Sequence, residues 1–244
     1  MSLTKQDYSN IYEQFQAPVS PGIDCGKFCS PLNEGEPVCC TTQHAIPLVD
    51  KAEYKLLRSR TKMWTKLEPF DQHSKKVIDD HAESCVAVEC NGAKYCERDN
   101  RSLACRAFPF FPYLNKKKEI IGVSIYWEFK DRCWVMSNLK YVNADYIKEL
   151  IDAYRYIFKK DLEEENAFFN QSVTMRRLFS RKKWSIPILD EQGNSNIILP
   201  KSNKLTSIQS SKLEKYFPFN SLQNYKNEVK SLNGSSIGLS LIPK

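Results

Sequence analysis

The sequence predicts an α+β fold, mostly helical and irregular, in which a small cysteine-rich domain is followed by an amphipathic helix and a basic tail. Three observations predict it. An i, i+3, i+4 apolar stripe follows Asn143, two further stretches are β-branched and aromatic at strand length, and nine cysteines stand among turn-forming residues between positions 25 and 133. The 244 residues are 41% hydrophobic and 27% charged. That is enough apolar surface for one or two domains, and it excludes wholesale disorder, collagen and coiled coil.

Taken in order, the chain opens on a polar stretch, MSLTKQDYSNIYEQFQ, with no apolar signal region, and no later apolar run approaches the ~20 residues that span a bilayer. The expectation is a soluble, cytoplasmic protein with no membrane partner. Asp50 and Glu53 have capping-box spacing ahead of Tyr54, Leu56 and Leu57, which predicts a short helix over about 50–60. The segment 120–129 predicts a strand. From Asn143 as N-cap, the stripe Ile147, Leu150, Ile151, Tyr154 and Phe158 predicts an amphipathic helix that continues past Glu163, Glu164 and Glu165 toward Leu178. Residues 184–189 and 196–199 flank Asp190 to Asn194 and predict a hairpin. Beyond Lys201 the composition turns to Ser, Asn and Lys, which predicts one short helix near 210–216 and a loosely ordered end. The expected domains are therefore 1–140, a cysteine-cluster region; 141–200, a helical and hairpin extension; and 201–244, a basic tail. Charge follows the same division: 20 basic against 18 acidic residues up to Lys140, net +2, and 16 against 11 afterwards, net +5.

In a reducing compartment a high cysteine count points to metal binding or catalysis before a disulfide framework. Cys25-x3-Cys29 and the adjacent Cys39 and Cys40 place four thiols within 16 residues, among Asp24, Gly26, Pro31, Asn33, Gly35 and Pro37, where a loop can turn several of them to one centre. A second group runs Cys90-x5-Cys96-x8-Cys105, with Cys85 before it and Cys133 after. Soft thiolates select zinc or iron–sulfur clusters over magnesium or calcium, and eight or nine cysteines satisfy a four-sulfur site once or twice. The spacing matches neither a plain Cys-x2-Cys finger nor a bacterial ferredoxin run.

The stretch from Cys96 through Arg101, Cys105, Arg106, Phe108 and Pro109 to Tyr113, together with Cys25-Gly26 and the Cys39-Cys40 pair, resembles the signature of the YkgJ-type cysteine-cluster family, described as zinc- or iron-chelating proteins. The resemblance covers about residues 22–135. It implies the ligand set Cys25, Cys29, Cys39, Cys40, Cys90, Cys96, Cys105 and Cys133, and it implies Arg101 and Arg106 as neighbours that offset thiolate charge. Ser102 stands where the family carries proline, and nine residues separate Cys29 from Cys39, more than its common form. Cys85 has no place in the pattern. The implied cofactor is an iron–sulfur cluster, such as 4Fe–4S, or zinc, which makes the domain metal-centred.

The expected function is metal binding through clustered thiolates, in support of electron transfer or a modification reaction with a protein partner the sequence does not name. Some relatives carry the cysteine module within a flagellin lysine methylase, so protein methyl transfer follows only by distant resemblance. No glycine-rich nucleotide loop and no radical-type Cys-x3-Cys-x2-Cys occurs. His44, His73 and His81 are too sparse for a histidine-based zinc enzyme. The alternative is a zinc-stabilised nucleic-acid-binding or protein-interaction module, in which Arg176, Arg177, Arg181, Lys182 and Lys183, with Phe179 and Trp184, form the contact surface.

Overall fold

In the computed structural model, which describes residues 2–199 and 204–233, the chain forms two compact units that interleave in sequence. One gathers Leu3–Glu13 and Gly26–Phe108, and is called here the cysteine unit; the other gathers Gln14–Cys25 and Pro109–Glu228, and is called the sheet unit. The α+β class holds: α-helices accompany two antiparallel sheets. No helix among the described residues is long and apolar enough to cross a membrane.

The cysteine unit opens with α1 (Lys5–Gln14), which buries Tyr8, Ile11 and Tyr12, one face at i, i+3, i+4 spacing. The four-residue α2 (Gly26–Cys29) precedes β1 (Leu48–Asp50), α3 (Lys51–Arg60), β2 (Trp64–Lys66), α4 (Gln72–Asp80), β3 (Cys85–Cys90) and the short α5 (Leu103–Ala107). The sheet has order β1-β3-β2, so β3 is central, pairing Asp50 with Cys85 on one side and Trp64 with Cys90 on the other. The expected helix at 50–60 is α3, capped by Asp50, whose carboxylate accepts from Ala52 N at 2.6 Å. Its presumed capping-box partner Glu53 is turned elsewhere: it is buried, and its carboxylate serves residues far away in sequence. α4 carries the true capping box, Asp71 with Ser74.

The sheet unit runs β4 (Phe110–Leu114), β5 (Ile120–Ile125), α6 (Ala144–Phe158), α7 (Leu162–Lys182), β6 (Ile186–Leu189), β7 (Ser195–Ile198), β8 (Leu205–Ser207) and the first part of α8 (Leu222–Asn233), whose residues from Val229 group with the cysteine unit, with strands in the order β4-β5-β6-β7-β8. The strand expected over 120–129 stops at Ile125, and a 3-10 turn follows at Trp127–Phe129. The single long helix expected from Asn143 is two helices. Asp161 breaks it, its carboxylate accepting from Glu163 N at 2.9 Å and Glu164 N at 3.0 Å and so capping a new helix. Tyr154, Phe158 and Phe168 pack across the break, with ring centroids 4.8–5.9 Å apart. The hairpin is present as β6 and β7, closed by Asp190, which accepts from Gln192 N and Asn194 N. Past residue 204 the chain is more ordered than its composition suggests: β8 extends the sheet, only a 3-10 turn occupies Ser210–Lys212, and α8 has twelve residues. The rest of the expected basic tail, 201–203 and 234–244, lies outside the described residues.

The seam between β5 and β6 is the irregular part of this sheet. Pro187 has no N–H to give, the register records one pair, Val123 with Leu189, and Ser124 Oγ donates to Pro187 O at 2.8 Å. Gly122, at φ +147°, lets the two backbones meet: a Cβ built there would stand 2.4 Å from Leu189 O and 2.7 Å from Ile188 Cγ2.

Candidate metal centre

Four thiols of the cysteine unit come into one electrostatic neighbourhood, each delivered by a different local device. Cys40 ends a 3-10 turn, Val38–Cys40, anchored by buried Val38 and by Asn33, which donates to Thr41 Oγ1 at 2.8 Å and to Glu36 O at 2.8 Å. Cys90 is the last residue of β3. The chain then turns at Gly92, φ +85°, through a 3-10 turn at Ala93–Tyr95 to Cys96. A further turn at Arg98–Asn100 leads to Ser102, whose Oγ accepts from Cys105 N at 3.3 Å and starts α5. This turn-rich segment is pinned to the rest of the unit: Thr61 Oγ1 donates to Glu97 Oε1 at 2.8 Å and Trp64 Nε1 to Asn100 O at 2.8 Å.

Each of these thiols feels its neighbours. Burial pushes the Cys105 thiol up to about 12, with Ser102 opposing and Cys90 and Cys40 adding to the rise. Burial likewise raises Cys90, with Cys40 and Cys96 contributing, and raises Cys96, with Cys40 contributing. Cys40 moves the other way, lowered first by its contact with Cys39, whose Sγ lies 3.9 Å away, and further by Arg101 and Arg98. Arg101 acts on Cys40, Cys96 and Cys105, and Arg98 on Cys40 and Cys96. Arg98 is a residue the sequence reading overlooked, though it sits two positions after Cys96.

Five further cysteines complete the set of nine. Cys39 adjoins Cys40, and Cys29 is buried at the end of α2, donating to Gly26 O at 3.5 Å. Cys25 and Cys133 belong to the sheet unit. Cys85 and Cys90 occupy the two ends of β3 and, five positions apart on a strand of period two, opposite faces, which separates them by about 17 Å along the strand. All nine cysteines are thiols, with no disulfide. Among the described residues, no three His, Cys, Asp or Glu side chains are grouped tightly enough to hold a single metal ion. Comparison with known protein families, curated proteins and solved structures finds no match.

Arg106 has a different setting from Arg101. It is 5% exposed, its guanidinium donates to Arg101 O at 3.1 Å and Asp99 O at 2.8 Å, and it lies 4.4 Å over the Tyr12 ring. It braces the loop that carries the thiols. Below it lies a second polar group the sequence did not reveal: Tyr12 Oη donates to Glu53 Oε1 at 2.5 Å, and Leu103 N donates to the same oxygen at 2.6 Å.

Burial pushes the Glu53 carboxyl up to about 7, although the bonds from Tyr12 and Leu103 pull it down. A carboxyl that holds its proton more tightly when folded contributes stability that is fully present below its unfolded value of 4.5 and is lost as pH rises through 7. Glu53→Gln keeps an acceptor oxygen and removes the titration. Relative to this variant, the wild type is expected to lose on the order of 1–3 kcal/mol between pH 4.5 and 7. Denaturant unfolding of both proteins across this range checks it, and parallel curves would show that Glu53 does not titrate there.

The basic residues of the expected nucleic-acid surface divide. Arg176 turns inward, donating to Leu114 O at 2.6 Å and Tyr113 Oη at 3.2 Å. Arg177, Arg181, Lys182 and Lys183 are exposed, with Lys182 Nζ 4.5 Å over the Trp184 ring. Arg181 and Lys182 occupy the last turn of α7, whose first turn holds Glu163, Glu164 and Glu165, so both ends complement the helix dipole.

Proposed function

We propose that this protein binds an iron–sulfur cluster or zinc through clustered cysteine thiolates, and that Cys40, Cys90, Cys96 and Cys105 serve one centre. What supports the reading is that these four thiols, carried by separate turns, strand and helix, act on one another electrostatically and are acted on by Arg98 and Arg101. Burial and the neighbouring thiols raise three of them, Cys90, Cys96 and Cys105; a bound cation removes both penalties, since metal ligation deprotonates a thiol outright. Charge also balances, because four thiolates around a divalent ion leave a net charge of about −2, matched by two guanidinium groups. The same four positions are among those that the resemblance to the YkgJ-type family implies.

An iron–sulfur cluster and a closed zinc site both draw on four thiolates, and the bound metal distinguishes them. When bound, a cluster supplies one-electron transfer, whereas a zinc ion closed in by four thiolates supplies folding energy and leaves no position for substrate. The residues of the chain bind the metal and offset charge: Arg98 and Arg101 act on the thiols within the cysteine unit.

The test is anaerobic purification followed by absorption spectroscopy and elemental analysis of the same sample. A broad band near ~400 nm with iron matched by sulfide is the expected result. Colourless protein with zinc would retain the thiolate centre and change its metal. Protein with neither would reject the reading.

A further inference from the structure

We infer that Glu53 is the positioning residue of the thiol cluster, holding the first turn of α5, and with it Cys105, in place through Leu103. The inference rests on the metal-centre reading and assigns a role to residues outside its ligand set.

α5 has five residues, and a helix of that length has almost no stability of its own, because the cost of its nucleus is barely repaid. A ligand on such a helix is held where tertiary tethers hold it. Two tethers act at its N-terminus. Ser102 Oγ takes the N–H of Cys105, and Glu53 Oε1 takes the N–H of Leu103, an amide that no intrahelical carbonyl can satisfy. The second comes from α3, fifty residues earlier in the chain. Glu53 is 2% exposed, and burying a carboxyl is costly unless it is hydrogen-bonded. The cap of α3 does not require it there, because Asp50 already accepts from Ala52 N.

Glu53 is in turn fixed by Tyr12 of α1, whose hydroxyl donates to the same oxygen and whose ring lies under the Arg106 guanidinium. Arg106 follows Cys105 directly and ties back to Asp99 O and Arg101 O. Tyr12, Glu53, Leu103 and Arg106 thus form one connected buried network on both sides of Cys105, and Glu53 is its hinge.

The experiment purifies the full chain anaerobically and measures bound iron, sulfide and zinc per chain, and their retention against a chelator, in wild type, Glu53→Ala and Glu53→Gln. The expected result for Glu53→Ala is a 10- to 100-fold weaker affinity for the bound metal, the range found when an outer partner of a metal ligand is removed. Glu53→Gln, which keeps the acceptor for Leu103, should restore it. A purely structural role would lower stability without changing metal affinity in the folded protein. Wild-type affinity in Glu53→Ala would overturn the positioning role alone, while a wild type that holds neither iron nor zinc would overturn the metal-centre reading with it. If Glu53→Ala does not fold, Tyr12→Phe carries the test: it keeps the ring under Arg106 and removes the donor that fixes Glu53. A several-fold weaker affinity is then expected, and an unchanged affinity overturns the inference.

Discussion

Cys105→Ser is expected to cost the protein its metal and to weaken metal affinity by more than about 100-fold, since losing even an outer partner of a ligand costs 10- to 100-fold. The reason lies in the site's energetics. Cys105 is the thiol on which burial weighs most among the four, so without a cation it is a neutral group, and replacing it with a hydroxyl that Ser102 and the backbone can accommodate changes little. With a cation it is one of four bonds whose formation is folding free energy. The melting temperature of purified protein should fall sharply in Cys105→Ser and in Cys40→Ser, and metal content should fall with it. Full metal stoichiometry and unchanged melting in both variants would remove these residues from the ligand set.

Gly122→Ala should destabilise the sheet unit by at least about 3 kcal/mol, combining overpacking with backbone strain. The added methyl would meet Leu189 O and Ile188 Cγ2, and one of the two is backbone that cannot rotate aside. Gly35→Ala is the control: its φ of +87° also disfavours a side chain, but nothing lies within 4 Å of the added atom. It should cost only the conformational penalty of about 1–2 kcal/mol. Denaturant unfolding of the two variants separates the effects, and equal losses would show that close approach at the β5–β6 seam is not the cause.

The elements that could be read from the sequence are those whose signal is local. The stripe after Asn143, the Asp50 cap and the hairpin around Asp190 to Asn194 each depend on residues within a few positions of one another, and each is present. Asp161 was legible too, as an N-cap residue before three glutamates, but the apolar stripe running up to it masked the break. Glu53 shows the opposite case. Its position at the start of α3 reads as a cap, and its actual partners, Tyr12 and Leu103, lie 41 and 50 residues away, a distance over which no periodicity gives a signal. The thiols divide in the same way: Cys90, Cys96 and Cys105 are joined by one short run of turns that the sequence displays, whereas the extended strand β3, not marked by the cysteine spacing, sets Cys85 apart from Cys90. Arg101 and Arg106, five positions apart, looked equivalent, and the presence of Tyr12 beneath one of them is what gives them different work.

The strand order β4-β5-β6 also bears on how the chain leaves the ribosome. β4 and β5 are neighbours in sequence and pair at once, but the partner for the other edge of β5 begins at Ile186, 61 residues after Ile125. At about 5–20 residues per second this edge waits roughly 3–12 s for β6. During that interval Ile120, Ile121, Val123 and Ile125 form an unpaired, apolar border of the kind that recruits other chains. The two helices made in the meantime, α6 and α7, both pack against the hairpin, so the order of synthesis gives the nascent protein a cover for the hairpin before it has an edge partner. Slowing translation between residues 160 and 186 would lengthen the exposure, which ties the yield of native protein to codon speed in that window.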